Sequence, residues 1–267
     1  MAIDVMTIVC CTPGKPERRA HMLAMCRSEG LEPQFTTDMG LFVHRDDPAC
    51  AALGTFPRTP AFRAHYLTYL RALVHFIDSG REYLLLLEDD LVRTVPTRHT
   101  QTVDEMIAGA PEFDLLFLEY CSGRCGSRSF GELGPFAGLE GQGRYVTGLR
   151  ALCTGACVYT RTGAMVLLGF ADRSPVCIID VLTQVYASTV RGTRLVVYVN
   201  PPAFVQDRTT FPDGVTGNIG DVGPCRPVYE AYVFISFLIV AFVCVFVWRS
   251  SRSSRSWRPL PSSRARG

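Results

Sequence analysis

Hydrophobic positions along this chain follow two patterns, short apolar runs and longer stretches with helical spacing. The clearest apolar run, Tyr83–Leu87, is a tyrosine followed by leucines, and it predicts a strand buried on both faces, as is usual in a parallel sheet. In the stretch before it, apolar residues recur every three or four positions, which predicts a helix from Pro60 to Ser79 that ends at Gly80. Because strand patterns alternate with helix patterns, we expect an α/β fold with a mostly parallel central sheet.

The same two patterns extend over most of the chain before residue 207. They predict further strands at residues 3–10, 34–37, 113–118, 152–160 and 194–199. They predict further helices at residues 17–29, 97–108, 162–170 and 180–186. Loops are expected at residues 38–58 and 121–144, and the second is rich in Gly and Ser, as expected of a loop that closes over a substrate.

Three adjacent acids, Glu88, Asp89 and Asp90, follow the leucine run directly. Adjacent carboxylates repel one another and are costly to bury unpaired, so we expect them at the open carboxyl end of the strand, where α/β sheets bind ligands. A divalent cation held by one or two of them would relieve the repulsion and leave positions for substrate phosphates. An acidic turn that binds no ligand accounts for the same residues, so both interpretations stay open.

Charge is distributed unevenly along the chain, although the net charge is only +2. Residues 249–267 contain six arginines and no acid, which leaves 21 basic and 25 acidic residues in the rest of the chain. The body of the protein therefore has no general basic footprint of the kind that nucleic-acid-binding proteins show, and no nucleic-acid partner is expected.

Cysteine occurs 11 times, and four of these residues form two C-x3-C pairs. The pairs are Cys121 with Cys125 and Cys153 with Cys157. Four thiolates could hold a zinc ion, but the spacing is looser than in common zinc knuckles. Reduced cysteines in the core or in loops are the simpler explanation.

The C-terminal part of the chain contains a charge-free apolar run from Tyr232 to Trp248. Its length approaches what is needed to span about 30 Å of hydrocarbon, and aromatic residues stand at both of its ends. We therefore expect a folded domain at 1–207, a linker at 208–228, a transmembrane helix at 229–248 and a basic tail at 249–267.

The orientation in the membrane stays open. Arginines after the apolar run favour a cytoplasmic tail, whereas the lack of a recognisable signal peptide at the N-terminus favours a cytosolic body held by a C-terminal anchor. Of these two orientations, we favour the cytosolic body.

Several motifs near the N-terminus resemble glycosyltransferase family 25, which includes bacterial lipopolysaccharide glycosyltransferases and collagen galactosyltransferases. The opening V-C-C-T-P-G-K-P-E-R-R is similar to the family's first strand and the arginine-bearing loop after it, although Cys10 and Cys11 replace the usual Asn-Leu. F-T-T-D-M-G is similar to the next element of the family. R-T-P-A-F-R-A-H-Y-L resembles a helix that carries a Ser-His pair, here Ala64 and His65.

The acidic motif and the later blocks follow in the family's order. L-L-L-L-E-D-D-L-V is similar to the family's acidic motif. The later blocks that resemble the family are F-D-L-L-F-L, T-G-A-C-V-Y-T-R-T-G-A-M-V-L-L, P-V-C-I-I-D and V-N-P-P-A-F-V-Q. The resemblance covers residues 4–207 and rests on the order and spacing of all the blocks together.

This resemblance implies a GT-A-like fold that transfers a sugar, with inversion, from a nucleotide-sugar donor to a hydroxyl of a glycan or protein. It favours a UDP-hexose donor and a divalent metal, Mn²⁺ or Mg²⁺, held by Glu88 and Asp90, which would neutralise charge on the leaving diphosphate. Asp180 would take the acceptor proton. His65 is the second residue expected at the catalytic centre. The residues expected to contact the donor are Lys15, Arg18, Arg19, Asp89 and Gln206.

Two other functions stay open beside the transferase. Ala64, the unusual cysteines and the membrane segment fit a catalytically inactive GT-A-like protein that acts in binding at a membrane. An acidic strand end would also suit a metal-dependent enzyme acting on phosphate esters, such as a nucleotidyltransferase. Binding tests with nucleotide-sugars and nucleoside triphosphates distinguish the three.

Overall fold

The computed structural model describes residues 3–53, 60–94, 101–119, 145–147, 154–173, 179, 182–183, 186, 192–198, 203–207 and 210–211. Contacts along the chain divide it into two compact units, Met1–Asp221 and Val222–Gly267, and every described residue belongs to the first. The predicted transmembrane helix and basic tail lie outside the described residues. Within the described ranges, no helix has both the length and the apolar character required to cross a membrane.

Strands and helices alternate along the first unit, as the sequence predicts. The strands are β1 (Val5–Cys10), β2 (Pro33–Phe35), β3 (Tyr83–Glu88), β4 (Leu91–Arg93), β5 (Leu115–Phe117), β6 (Tyr145–Thr147), β7 (Ala156–Thr160), β8 (Leu195–Tyr198) and β9 (Phe204–Gln206). The helices are α1 (Pro16–Ser28), α2 (Pro48–Ala52), α3 (Pro60–Ser79), α4 (Val103–Gly109) and α5 (Arg161–Ala171).

A seven-stranded sheet in the order β2-β1-β3-β7-β5-β8-β6 forms the centre of this unit. Strands β1, β2, β3, β5 and β8 run in one direction, whereas β6 and β7 run against them. The prediction of an α/β fold with a mostly parallel central sheet is therefore confirmed. A second, two-stranded sheet pairs β4 with β9 antiparallel.

Helices cover both faces of the sheet, and β3 shows why its sequence is a run of leucines. Leu84 and Leu86 pack into the cluster that contains α3 and α5, whereas Leu85 and Leu87 pack into the cluster that contains α1 and α4. All four side chains are at most 1% exposed, which confirms a strand buried on both faces. Fully burying one such side chain contributes about 1.5–3 kcal/mol.

The ends of the helices follow local signals, with one correction. Helix α3 is followed by Gly80 at φ 76°, a left-handed conformation in which glycine lacks the steric cost of other residues. The helix predicted from residue 97 begins instead at Val103, because Thr102 and Glu105 form a capping box. In this box, the Glu105 amide donates to Thr102 Oγ1 at 3.2 Å and the Thr102 amide donates to Glu105 Oε2 at 2.9 Å.

Sequence analysis missed four short elements. Helix α2 lies in the predicted loop at 38–58 and is capped by the Asp47 side chain, which accepts from the Ala49 amide at 2.8 Å. Strands β4, β6 and β9 are only three residues long and carry too little pattern to predict. Of these, β4 and β9 position the candidate site, because they begin or end beside the acidic residues.

Candidate functional site

The three acids stand where β3 leaves the main sheet. Glu88 is the last residue of β3, and Asp89 and Asp90 form the turn into β4. Because side chains alternate along a strand, Glu88 faces α3 while Asp89 faces α1. The acids thus lie at the carboxyl end of a buried strand that is paired in parallel with β1.

Asp89 forms a buried ion pair with Arg18. Arg18 Nη1 donates to Asp89 Oδ1 at 2.8 Å, and the two side chains are 3% and 2% exposed. The other carboxylate oxygen accepts from the Thr12 amide at 2.6 Å. The Arg18 guanidinium also lies 5.2 Å from the centre of the Phe211 ring. Two residues predicted to contact the donor therefore contact each other, and they tie the loop after β1 to the end of β3.

The other two cations predicted to face the donor lie at the start of α1. Arg19 pairs with Asp38 through contacts of 3.0 and 2.5 Å and stacks on Phe35 at 4.0 Å. This hydrogen bond from Arg19 is the main cause of the lowered pKa of Asp38. Lys15 precedes the first turn of α1 and is partly exposed.

Glu88 is in contact with two other predicted site residues. The Gln206 amide nitrogen donates to Glu88 Oε2 at 3.0 Å, and His65 Nε2 lies 3.5 Å from Glu88 Oε1. Gln206 reaches this position because it pairs with Leu91 in the small β4–β9 sheet. Glu88 and His65 are 12% and 19% exposed, so both are mostly, but not wholly, shielded from water.

His65 stands above a buried pair of tyrosines. Its ring lies 6.1 Å from that of Tyr69, and the Tyr69 and Tyr159 hydroxyls are 2.8 Å apart. Burial raises the pKa of both tyrosines well above its usual value, so both hydroxyls are neutral. Their hydrogen bond links α3 to β7 and fixes the helix that presents His65.

A cavity of about 230 Å³ opens beside these groups. Glu88 and Asp89 form its acidic side, and Ala64 and His65 contribute from α3. The other described residues that line it are Cys10, Cys11, Thr12, Pro13, Phe42, His44, Arg45, Ala61 and Thr68. The predicted site residues that are not among the described lining residues are Lys15, Arg18, Arg19, Asp90 and Gln206.

The two cysteines that depart from the family pattern line this cavity as neutral thiols. Burial, followed by the nearby Asp89 charge, raises the pKa of Cys11 to about 11. Burial and the charges of Glu88 and Asp89 also raise the pKa of Cys10 well above its ordinary value. Since the thiolate is the reactive form, neither cysteine is prepared to act as a nucleophile at neutral pH.

A further acid, Glu119, follows β5 in the same way that Glu88 ends β3, and no function was predicted for it. The register of β3, β7 and β5 places Glu88 and Glu119 on either side of Gly155, and the Glu88 amide donates to the Gly155 carbonyl at 2.7 Å. Glu119 is 3% exposed. A Cβ atom on Gly155 would lie 1.9 Å from Glu119 Oε2. The glycine therefore makes room for this carboxylate, and an acid at the end of a buried strand was the signal in the sequence.

Asp90 and Glu88 provide carboxylate oxygens, the ligand type that Mg²⁺ and Mn²⁺ prefer. Asp90 is 3% exposed. Among the described residues, no group of three or more His, Cys, Asp or Glu side chains is placed to hold a metal ion. One or two carboxylates together with substrate phosphates are a common way of binding Mg²⁺. Glu88 at the cavity wall therefore fits a cation that binds jointly with a nucleotide, whereas Asp90 is not among the described lining residues.

Two predictions fall outside the part of the chain that can be described. Asp180, the predicted base, is not among the described residues, although Ile179 and Leu182 beside it have helical backbone. Of the two C-x3-C pairs, only Cys157 is described, and it is fully buried in β7. The base and the zinc site both stay predictions.

Comparisons with known proteins assign no family to the chain. No model of a protein family matches it, and no curated protein matches its sequence. The geometry of the cavity and the motifs of the sequence are therefore the basis for a functional proposal.

Proposed function

We propose that this chain is a metal-dependent inverting glycosyltransferase with a GT-A-like fold. It would move a sugar, a hexose carried by UDP, to a hydroxyl of a glycan or protein. The observation that carries the proposal is the place of Glu88, which ends a buried parallel strand and opens onto a cavity of about 230 Å³. Ligands of open α/β sheets bind at this carboxyl edge.

The chemistry of a diphosphate leaving group fits this edge. A bound Mn²⁺ or Mg²⁺ would neutralise the charge that develops on the diphosphate, and Glu88 and Asp90 are the residues that would hold it. The Gln206 amide fixes one oxygen of Glu88 by a hydrogen bond of 3.0 Å. A carboxylate oriented in this way loses less conformational freedom on binding. We propose that Gln206 positions Glu88 for its ligand.

An inverting transfer also requires a base for the acceptor proton. Asp180 is the candidate that the sequence motif supports. His65 is a second candidate on geometric grounds, because its Nε2 lies 3.5 Å from Glu88 Oε1 in the lining of the cavity. A carboxylate at this distance stabilises the positive charge on an imidazole that has accepted a proton.

The contacts of the acids also favour a second candidate function, a catalytically inactive binding protein with the same fold. Arg18 neutralises Asp89, and Gln206 and His65 contact Glu88. These contacts lessen the need for a cation to relieve the repulsion between the acids. Ala64 stands in the cavity lining where the resemblance expects a serine. Such a protein would bind no nucleotide-sugar in a metal-dependent way.

Membrane attachment is part of the proposal. Residues 229–248 would anchor the chain, with the body in the cytosol. Extraction of membranes at high pH should leave the full-length chain in the pellet. In sealed vesicles, protease added outside should degrade the body if it faces the cytosol; a protected body would overturn this orientation.

The activity is tested by the hydrolysis of UDP-galactose and UDP-glucose by the full-length chain with Mn²⁺, in which water takes the place of the acceptor hydroxyl and UDP is released. We expect release that is lost in Glu88→Gln and retained in Glu112→Gln, an exposed acid that pairs with Arg194. UTP added as the alternative substrate tests for a nucleotidyltransferase. Absence of UDP release, by a chain that unfolds cooperatively, would favour the inactive binding protein.

A further inference from the structure

The proposed donor carries two phosphates, and the acidic side of the cavity would repel them without nearby cations. Arg18 contacts Asp89 and Arg19 contacts Asp38, and neither is among the described lining residues. The described lining residues that are basic are His44, Arg45 and His65. Two of these are adjacent in one segment that sequence analysis took as an ordinary loop.

That segment, residues 42–45, is held in place from behind by Val43. The Val43 side chain is fully buried in a small cluster with Cys50 and Ala64. Its amide donates to Thr68 Oγ1 on α3 at 2.9 Å. Ala64 and Thr68 belong to the lining of the cavity, so these contacts of Val43 hold the segment against the cavity wall, where Phe42, His44 and Arg45 also line it.

Asp46 presents a carboxylate to both basic side chains of this segment. Its Oδ2 lies 3.1 Å from His44 Nδ1 and 4.0 Å from Arg45 Nε. The three side chains are 64%, 67% and 74% exposed for His44, Arg45 and Asp46. Ion pairs this exposed contribute little to stability, so a ligand with more charge and more acceptor oxygens can take the place of Asp46.

We propose that residues 42–45 are the diphosphate-binding segment of the cavity. His44 and Arg45 receive the phosphates, Phe42 provides an apolar contact for the nucleoside, and Asp46 competes with the ligand for the side chains of His44 and Arg45. The ligand class is a nucleoside diphosphate or its ester. This inference rests on the proposed function for the donor, but the binding of phosphate by the segment does not require that a sugar be transferred.

The test measures binding of UDP and of inorganic pyrophosphate to the full-length chain by calorimetry in the presence of Mn²⁺. Arg45→Gln should weaken both about tenfold, which is the effect of losing one charge-assisted hydrogen bond. Asp46→Asn should strengthen both by about threefold, because it removes the competing carboxylate. The matched control is Arg81→Gln, which removes an exposed arginine paired with Asp4 at the opposite end of β3 and should change neither affinity.

The outcomes separate this inference from the proposed function. If UDP binds equally to wild type and Arg45→Gln, the segment is not the phosphate site, although the donor proposal stands. If pyrophosphate binding depends on Arg45 and Asp46 but no sugar is transferred, the inference stands and the transferase proposal fails. A wild-type chain that binds neither probe overturns the inference. Equal thermal midpoints for all variants exclude unfolding as the cause.

Discussion

Gln206 donates a hydrogen bond of 3.0 Å to Glu88 Oε2, although 118 positions separate the two residues in the chain. The contact depends on the β4–β9 sheet, which turns the chain after the acids and brings Gln206 back beside them. It joins a residue proposed for metal binding to a residue proposed for donor binding. Their contact makes the pair the natural first target for substitution.

Gln206→Ala should lower the affinity for a UDP-sugar with Mn²⁺ about tenfold, which corresponds to about 1.4 kcal/mol and lies at the low end of what a hydrogen bond to a charged group contributes. The fold should be retained, because Gln206 is only partly buried. Gln34→Ala, an exposed glutamine on the edge strand β2, is the matched control and should have no effect. Unchanged affinity in Gln206→Ala would remove its positioning role.

The Arg18–Asp89 pair predicts a large effect on stability. Arg18→Ala leaves Asp89 buried without its cation and should reduce the free energy of unfolding by about 3–5 kcal/mol. Arg19→Ala breaks the partly exposed pair with Asp38 and should cost only about 0–1 kcal/mol. Denaturant unfolding of the two variants measures the difference. Equal losses of unfolding free energy in the two variants would contradict a buried Arg18–Asp89 ion pair.

Gly155 and Gly169 form a matched pair of glycine substitutions. A Cβ at Gly155 would collide with the Glu119 carboxylate, so Gly155→Ala should destabilise the fold by about 1–3 kcal/mol. No atom lies within 4 Å of a Cβ built on Gly169 in α5, so Gly169→Ala should stabilise by about 0.5–1 kcal/mol. Thermal unfolding of both variants gives the sign, and a stable Gly155→Ala would contradict the tight position of Glu119.

Cys11 predicts slow alkylation at neutral pH. Burial and Asp89 raise the pKa of its thiol to about 11, so almost none of it is thiolate at pH 8. Alkylation with iodoacetamide, followed by peptide mapping, should become faster by about tenfold per pH unit up to about pH 11. The pKa of Cys11 is thus higher in the folded chain than the ordinary value of 9.0 that holds in the unfolded chain. The shift therefore stabilises the folded state fully below pH 9, and this stabilisation is lost as the pH rises toward 11. Rapid labelling of Cys11 at pH 7 in the folded chain would contradict this environment.

Local pattern was enough to predict the strand that ends in the acids. The leucines of β3 pack into the core on both faces of the sheet, so the unbroken apolar run in the sequence directly indicates a strand buried on both faces. The acids cannot continue a buried strand, and the structure ends β3 at Glu88 and places Asp89 and Asp90 in the turn after it. The fold class followed from the same alternation of patterns.

Long-range contacts set the roles of individual charges, and the sequence does not record them. Arg18 and Arg19 are neighbours in α1, but rotation about the helix buries one against Asp89 and leaves the other half-exposed beside Asp38. In the sequence, a basic residue near the start of a helix has the same local pattern whether its side chain is buried or exposed. Residues 42–45 have no periodic pattern, and their place on the cavity depends on Val43 packing under α3.

The most direct test of the central proposal is calorimetric titration of UDP-galactose and UDP-glucose into the full-length chain, with and without Mn²⁺. We predict binding that requires Mn²⁺, is lost in Glu88→Gln and Asp90→Asn, and is retained in Glu112→Gln. Binding that is independent of the metal, or that survives in both acid variants while they remain folded, would contradict the account of the acids as a metal-assisted donor site.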